Sequence, residues 1–467
     1  MGGVGDYSGG LVLQVATAAT TSVALAAAPT AAGAEDAAAL RTSAFGAEAL
    51  PLAWLRAWSA SSAGSPLSAR LALVRAHLQA LGAPRWVSYV FGSLAGFVGE
   101  TGWLPPPGSS LTIDISSSVP LSQGVSSSAS IEVAMLRALR AHSGAPLADL
   151  RLAHVGQHVE NFVVGAPCGL MDQLASSLGA PAQVLPILCR PDAVSALVAL
   201  PPGVLVVGWP SGAEHELGGA SPYGLARAAT FMAKKVLERA LGRQLAHITE
   251  LQPSELAAVA ASVPEAMSGR DFLAQYGAMD DALSVVDPNH TYSLRASAQF
   301  PVGENFRCAG GGGAQWSTPF TCAHSFSTAQ RSPFPHNPCP PPPSHTHCTS
   351  RACSTPRCAT ALALLRSLAG QAGGAAATEE ALALVGELMR QTHRGYTSIG
   401  LGAPELDEML EALGREIGLR GGVYGARISG GGSGGTMAIL CHERALPAIR
   451  ELAGRLTFGK PFPGLIM

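Results

Sequence analysis

One long stretch of this sequence contains no residue that could help to build an aliphatic core. From Gly303 through Ala361 there is no Ile, Leu, Val or Met, and the stretch includes the runs GGGG at 310–313 and CPPPP at 339–343. Such a segment cannot bury enough apolar surface to offset the entropy lost when it becomes ordered. The fold must therefore be assembled from the chain on either side of it.

Cysteine and histidine are frequent in this stretch, which suggests a zinc site as one interpretation. Six of the nine cysteines fall there: Cys308, Cys322, Cys339, Cys348, Cys353 and Cys358. They form no C-x-x-C pair, however, and their spacing matches no familiar zinc finger. We therefore expect a disordered Pro/Cys/Gly-rich insert at about residues 306–360, with a zinc site as the alternative. The flanks, YSLRASAQFPVGENFR before it and ATALALLRSLAG after it, are typical of folded protein.

Charge and composition exclude several classes of protein. Charged residues make up 13% of the chain and the net charge is -2, which gives no support for a nucleic-acid partner. The first basic residue is Arg41, so a secretory signal is not indicated. The apolar stretch at 11–28 is rich in Ala and Thr, and we expect a strand followed by a loop there rather than a membrane helix. These features predict a cytoplasmic protein with no membrane segment, and they say nothing about oligomeric state.

Strands and helices alternate in the rest of the chain. Apolar runs predict strands at 111–115 and 204–208. Helical periodicity predicts helices at 128–140, 221–241, 379–391 and 406–417. In the first of these, Ile131, Met135, Ala138 and Leu139 would form the apolar stripe. A Walker-type phosphate loop is excluded, because none of the three lysines (Lys234, Lys235 and Lys460) lies in its pattern.

A Gly-Ser loop runs directly into a predicted helix in VPLSQGVSSSASIEVAML at 119–136. Ser126, Ser127 and Ser128 would place hydroxyls and unpaired backbone N–H groups at the helix N-terminus. The helix dipole favours negative charge at that end, so the pattern is typical of an anion site. The alternative is a serine N-cap after an ordinary turn.

Two further loops carry candidate functional residues. VYGARISGGGSGGTMAIL at 423–440 places a glycine run between two strand-like runs, where it would let backbone approach a ligand; the alternative is a flexible linker. VENFVVGAPCGLMDQLASSLG at 159–179 places Asp172 in an apolar context. A carboxylate there must be paired, hydrogen-bonded or functional, and the alternative is a structural helix cap.

In this order, the three loops resemble the GHMP kinases, the superfamily of galactokinase, homoserine kinase, mevalonate kinase and phosphomevalonate kinase. PLSQGVSSSA is similar to the second motif of the family and ARISGGGSGG to the third, while GAPCGLMDQ and HRGYTSIGLGAPELDEMLEAL resemble the galactokinase branch. Within that branch, VSSSASIEVA, VENFVVGAPCGLMDQ and MGGVGDYSG resemble the plant arabinokinases. The resemblance implies an α+β fold of two domains. A ribosomal-protein-like N-terminal domain would occupy 1–200, and a ferredoxin-like C-terminal domain would occupy 201–467 with the insert inside it.

The same resemblance implies roles for the residues that match motif positions. ATP phosphates would be bound by the residues Gly124, Ser126, Ser127, Ser128, Gly430, Gly431 and Gly432. Mg²⁺ would be held by Ser128 and Glu160, a ligand set that suits this ion. Asp172 would act on the anomeric hydroxyl of the sugar as general base or orienting carboxylate. Asp6, Gly169 and Tyr223 match positions that contact the sugar.

The residues at positions 3 and 4 bear on which sugar is used. Galactokinases have Glu-His there, and their glutamate reaches the outer hydroxymethyl group of galactose, whereas this chain has Gly3 and Val4. L-Arabinose has the ring stereochemistry of D-galactose without that group. The resemblance therefore predicts an ATP-dependent L-arabinokinase that forms the 1-phosphate, with galactokinase or galacturonokinase as alternatives. A non-enzymatic sugar sensor and a catalytically impaired fragment are alternatives of another class.

The opening MGGVGDYSGGLVLQ resembles the back half of the first motif of the family. The front half normally reads A-P-G-R and carries an arginine that partners the catalytic aspartate. We therefore expect that this half, with the first strand of the N-terminal domain, would lie upstream of Met1.

Overall fold

The protein is described by a computed structural model that covers residues 1–190, 192–213, 221–309, 360–370, 375–458 and 464–467. Most of the predicted insert, residues 310–359, lies outside the described residues, so disorder and zinc binding both remain predictions for it. Within the described residues, no helix is both long and apolar enough to cross a membrane.

Strands and helices alternate along the described chain. The strands are β1 Leu11–Val15, β2 Thr21–Pro29, β3 Ala37–Thr42, β4 Gly46–Pro51, β5 Ser109–Ser117, β6 Gln183–Cys189, β7 Asp192–Val194, β8 Val198–Ala199, β9 Val204–Pro210, β10 Met267–Ser268, β11 Thr291–Tyr292, β12 Val423–Ile428 and β13 Thr436–His442. The α-helices are α1 Leu52–Ser61, α2 Leu67–Ala80, α3 Arg85–Thr101, α4 Ser127–Ser143, α5 Asp149–Val159, α6 Met171–Leu178, α7 Pro222–Leu241, α8 Pro253–Val259, α9 Gly269–Tyr276, α10 Leu294–Ala309, α11 Ala361–Gly370, α12 Ala375–Ser398, α13 Pro404–Glu416 and α14 Leu446–Arg455.

The first part of the chain forms two sheets that are packed on helices. One sheet has the strand order β2-β5-β3-β4, with β3 parallel to β5 and the other pairs antiparallel. Its inner face packs with α1 to α5 around fully buried side chains such as Leu40, Phe91 and Ile113. The other sheet joins β1 to β6, and β6 to β7 and β8. Because β1 and α6 both pack on β6, this second sheet brings the N-terminal turn close to Asp172.

The C-terminal part is built on a three-stranded antiparallel sheet of order β12-β13-β9. Ile428, Met437 and Ile439 are fully buried beneath it. Helix α12 lies very close to β12, since a side chain on Gly386 would collide with the backbone of Tyr424. This close contact requires glycine and fixes the height of α12 over the sheet.

Most elements predicted from the sequence are confirmed, with two corrections. The predicted strands correspond to β5 and β9, and the predicted helices to α4, α7, α12 and α13. The stretch at 11–28 was expected to be a strand followed by a loop, and this is wrong, because β1 is followed by a second strand, β2. The insert also begins later than 306: Arg307 and Cys308 belong to α10, where Arg307 pairs with Glu304 and Cys308 is fully buried. The domain boundary at 200 remains a prediction.

Candidate active site

A cavity of about 850 Å³ lies between the N-terminal and C-terminal sheets. Gly124, Ser126 and Asp172 line it from one side, and Ser429 and Gly430 line it from the other. All three loops singled out in the sequence therefore contribute to one cleft.

The Gly-Ser loop is held to the C-terminal sheet by its backbone carbonyls. The Thr436 hydroxyl donates to the carbonyl oxygen of Gln123 at 2.7 Å, and the Ser429 hydroxyl donates to that of Gly124 at 3.2 Å. The glycine loop lies directly against it, since a Cβ on Gly430 would be 3.0 Å from the Gly124 carbonyl oxygen. The two predicted phosphate loops thus meet across the cleft, as expected.

Ser126 precedes α4 in a conformation that is uncommon for serine. Its φ of 62° and ψ of 45° lie in the left-handed region, which disfavours residues that have a side chain. Its hydroxyl makes no capping bond to the helix backbone, and it lies close enough to Asp172 to oppose the rise in the pKa of that carboxyl group. The alternative of an ordinary serine N-cap is therefore wrong for Ser126. The serine places the helix N-terminus beside the predicted catalytic carboxylate.

Glu160 lies beside the same helix N-terminus and is almost fully buried. It begins a short π-helical turn, Glu160–Val164, which continues directly from α5. The Gln173 side-chain amide donates to its carboxylate at 2.7 Å, and the Ser128 hydroxyl lies close enough to lower its pKa. Burial, together with the charge of Asp172, raises the pKa of Glu160 to about 7, against the effect of these two neighbours. Ser128 and Glu160, the predicted metal ligands, therefore lie near each other.

A second buried carboxyl group, on Glu132, joins this cluster and was not singled out in the sequence. The Gln173 amide that bonds Glu160 also donates to Glu132 Oε2 at 3.1 Å. Among the described residues, Glu132 Oε1 and Gln173 Oε1 are buried without a hydrogen-bond partner. Burial, and then the charge of Glu160, raise the pKa of Glu132 well above its usual range.

The raised pKa of Glu132 predicts a stability cost that depends on pH. Because the folded state binds this proton more tightly than the unfolded state, stability falls as the pH rises above the ordinary pKa of Glu, by about 1.4 kcal/mol per pH unit until the folded pKa is reached. We expect Glu132→Gln, which cannot ionise, to be more stable than the wild type at pH 8. The difference should shrink toward pH 4, and urea unfolding across this range measures it.

A paired buried carboxylate provides the control. Glu238 on α7 is equally buried, but its Oε1 lies 2.9 Å from Lys234 Nζ and accepts from the Leu245 N–H. Glu238→Gln should lower stability at pH 8, because it leaves a buried charge without its partner. If Glu132→Gln also lowers stability at pH 8, the ionised Glu132 carboxylate does not destabilise the folded state.

The predicted sugar-binding residues meet at the other side of Asp172. Gly169 lies under the carboxylate of Asp6, which occupies the space where a side chain on Gly169 would lie. Asp6 is buried and accepts from the Tyr7 N–H at 2.7 Å. Burial, followed by the charge of Asp172, raises the pKa of Asp6 to about 7. Tyr223 packs edge-on against Tyr7, with ring centroids 5.9 Å apart, and so lies close to Asp6.

Arg227 is a buried cation near this group that sequence reasoning missed. Its guanidinium makes a bidentate ion pair with Asp281, with both N–O distances 3.0 Å. It also lies over the ring of Tyr7, 4.9 Å from the ring centroid. It also donates to the carbonyl oxygen of Pro167 at 3.5 Å. Arg227 thereby supports both the turn that carries Asp6 and the loop that carries Gly169. Its position on the predicted helix at 221–241 carried no signal, because arginine is ordinary in an amphipathic helix.

Two of the predicted phosphate-binding glycines are buried and do not line the cleft. Gly430 lines the cleft, whereas Gly431 and Gly432 are buried. A Cβ on Gly432 would be 2.8 Å from Leu401 and Tyr396. These two glycines permit the loop to pack closely on the C-terminal part, and their contact with phosphate remains a prediction.

Comparison with known families agrees with this arrangement. Residues 88–180 match the family model described as the GHMP kinases N terminal domain, and residues 374–455 match the GHMP kinases C terminal model. The first match includes α3, α4, α5 and Asp172, and the second includes α12 and the glycine loop. The two matches fall in the order that the sequence predicted.

Sequence relatives are sugar kinases by name. The chain is 28% identical over 393 residues to L-arabinokinase of Arabidopsis thaliana, covering 77% of this chain and 32% of that protein. It is 38% identical over 159 residues to galactokinase of Chloroflexus aggregans, covering 34% of this chain and 39% of that protein. The chain therefore spans about a third of the length of these curated relatives.

The fold is also that of a solved structure. Lactococcus lactis galactokinase complexed with galactose superposes with a TM-score of 0.62 and 19% identity, covering 98% of this chain and 87% of that one. At that identity the likeness concerns the fold alone. It confirms the predicted two-domain α+β architecture.

Proposed function

We propose that this chain, whose residues match the N-terminal and C-terminal domain models of the GHMP kinases in order, is a kinase of that family and phosphorylates a sugar at the anomeric hydroxyl with ATP. We propose further that L-arabinose is the preferred sugar and that the product is L-arabinose 1-phosphate. The observation that carries the proposal is the shared position of Ser126 and Asp172 in the lining of one cavity. It joins the helix N-terminus suited to phosphate with the carboxylate suited to a hydroxyl group, inside one cleft.

Asp172 has the properties of a general base or an orienting carboxylate. Burial raises its pKa, and the nearby Ser126 hydroxyl opposes this, so that its pKa is closer to neutral pH than that of an exposed aspartate. A base is most effective when its pKa is near the working pH. Asp172 would take up the proton of the anomeric hydroxyl. Asp6 lies close enough for the charge of Asp172 to raise its pKa, and it would accept hydrogen bonds from ring hydroxyls of the sugar.

The residues of the cleft fit ATP and Mg²⁺. The Ser128 hydroxyl and the Glu160 carboxylate, which lie near each other, are the hard oxygen donors that Mg²⁺ prefers. When bound, Mg²⁺ would neutralise charge on the transferred phosphoryl group. The N-terminus of α4 and the Gly430 loop would orient the phosphates, and phosphoryl transfer depends mainly on such positioning.

The choice of arabinose rests on the space around Gly3. A side chain at this position would collide with the hydroxyl of Tyr396 and would come within 2.9 Å of the Gly430 carbonyl oxygen. A carboxylate from residue 3 is therefore sterically excluded, and with it a hydrogen bond to the outer hydroxymethyl group of galactose. The 28% identity to L-arabinokinase supports the same choice, whereas the shorter matches to galactokinases favour the alternative.

A competition between sugars tests the proposal. With Mg-ATP and equal concentrations of L-arabinose, D-galactose and D-galacturonate, we expect the 1-phosphate of arabinose to dominate. A hydrogen bond to a charged group contributes about 1.5–3 kcal/mol, so galactose should be disfavoured by about 10- to 100-fold in kcat/KM. Dominance of galactose would identify a galactokinase instead, and dominance of galacturonate a galacturonokinase. Binding without turnover would favour a sugar sensor.

A further inference from the structure

We infer that Tyr396 is a positioning residue that couples sugar binding to nucleotide binding in this cleft. The inference rests on the proposed function, because it concerns the two substrates named there. It deepens that proposal by assigning the coupling to a side chain outside the three motif loops.

The hydroxyl of Tyr396 lies between the two halves of the site and bonds to both. It accepts a hydrogen bond from the Val4 N–H at 3.2 Å and donates one to the Gly430 carbonyl oxygen at 2.6 Å. Val4 belongs to the short 3₁₀ turn Gly3–Gly5 that leads directly into Asp6. Gly430 lies against Gly124 of the serine loop. A single hydroxyl thus joins the turn of the sugar side to the loop of the phosphate side.

The ring of Tyr396 has no freedom to move away from this position. It is fully buried on α12 and packs edge-on against Phe300, with centroids 5.4 Å apart. The guanidinium of Arg427, from β12, lies 4.9 Å from its centroid on one face. Because the ring is fixed by its neighbours, a movement of either loop must lengthen a hydrogen bond to the hydroxyl.

Glu304 holds the same turn from a second direction. Its carboxylate accepts from the Gly2 N–H at 2.8 Å and from the Thr392 hydroxyl one turn before Tyr396 on α12. Arg307 pairs with it at 2.8 Å, and Arg427 lies 3.9 Å away. These charges keep the turn on α12, beside the hydroxyl of Tyr396.

A ligand that orders one loop would therefore order the other through this hydroxyl. Such coupling between two ligands is reciprocal, and it is measured as the factor by which each changes the affinity for the other. We expect the wild-type chain to bind L-arabinose about fivefold or more tightly when a non-hydrolysable ATP analogue with MgCl₂ is bound. Titration calorimetry with and without the analogue gives this factor.

Tyr396→Phe removes the hydroxyl and keeps the packed ring. We expect the coupling factor to fall to about one, although each ligand still binds alone. The matched control is Tyr292→Phe, because Tyr292 is equally buried and its hydroxyl accepts from the Asp287 N–H at 2.8 Å, away from the cleft. That variant should lose a similar amount of thermal stability and retain the coupling factor of the wild type.

A second variant approaches the same hydroxyl from the opposite loop. Gly3→Ala would place a methyl group against the Tyr396 hydroxyl, so it should also abolish the coupling. In the Tyr396→Phe background, Gly3→Ala should lower the coupling factor by less than it does in the wild type, as expected for residues in contact. If the wild type binds neither ligand, the proposed function and the inference both fail. If it binds both, and Tyr396→Phe retains the coupling, only the inference fails.

Discussion

Replacing Asp172 by Asn should lower kcat by about a hundredfold or more, which is the scale of losing a general base. The substitution conserves size and keeps an oxygen acceptor near Ser126. It removes the group that would take up the proton from the anomeric hydroxyl. Affinity for ATP should change little, because the amide remains beside the helix N-terminus. Steady-state kinetics with the preferred sugar gives both quantities.

The same change on a neighbouring helix provides the control. Asp149 also lies in the first turn of a helix, α5, and it pairs with Arg140 at 2.9 Å on the surface. Asp149→Asn should leave kcat at the wild-type level. Normal turnover in Asp172→Asn would remove this carboxylate from the mechanism.

Glu160→Gln should raise the Mg²⁺ concentration needed for half-maximal activity by more than about a hundredfold. Groups that only support a metal ligand typically contribute 10- to 100-fold to metal affinity, and a ligand itself should contribute at least as much. The amide keeps the volume of the buried side chain and removes its charge. Activity measured against MgCl₂ at saturating ATP gives the requirement directly.

Glu132→Gln is the matched control for this second prediction. Glu132 is as deeply buried and accepts from the same amide of Gln173, but Ser128 affects the pKa of Glu160 and not that of Glu132. Its substitution should change the Mg²⁺ requirement much less than that of Glu160. Equal effects of the two variants would mean that the buried cluster acts as a whole and that Glu160 has no special place in it.

The loops that line the cleft could be predicted because the residues that mark each of them are close together in the sequence. Three serines before an apolar helix and a glycine run between two strands each carry their signal within about ten residues. The strand β2 was missed because Ala and Thr fill it, and alanine gives little β-propensity. It forms because the partner strand β5 pairs with it along its whole length.

The apolar stripe predicted for α4 differs from the helix face that is buried in the structure. For this reason the burial of Glu132 was not predicted. Met135 and Leu139 are buried as expected, but Ile131 and Ala138 are only half-buried. The buried face is instead centred on Val133 and Leu136, and it includes Glu132. An acidic residue within an apolar run was the one signal available. Periodicity alone could not show that the carboxyl group faces a second acid from another helix.

Tyr396 and Arg427 could not be identified from local patterns, since their partners are distant in the chain. Val4 and Tyr396 are 392 residues apart, and Glu304 reaches Gly2 across 302 residues. No local propensity records such a pairing. The residues predicted to contact the sugar at this end of the site, Asp6 and Gly169, came from the family resemblance, and their contact with a sugar stays a prediction.

The large separation of Val4 and Tyr396 along the sequence has a consequence for the synthesis of the protein. Ribosomes release the N-terminal part of a chain first, and domains generally fold in that order. The turn that carries Asp6 nevertheless has its hydrogen-bond partners on α10 and α12, and the serine loop is held by Ser429 and Thr436. A nascent chain cannot complete this cleft until β13 has emerged. The turn that carries Asp6 must therefore wait until these distant partners have been made, and during that time it is exposed to chaperones and proteases.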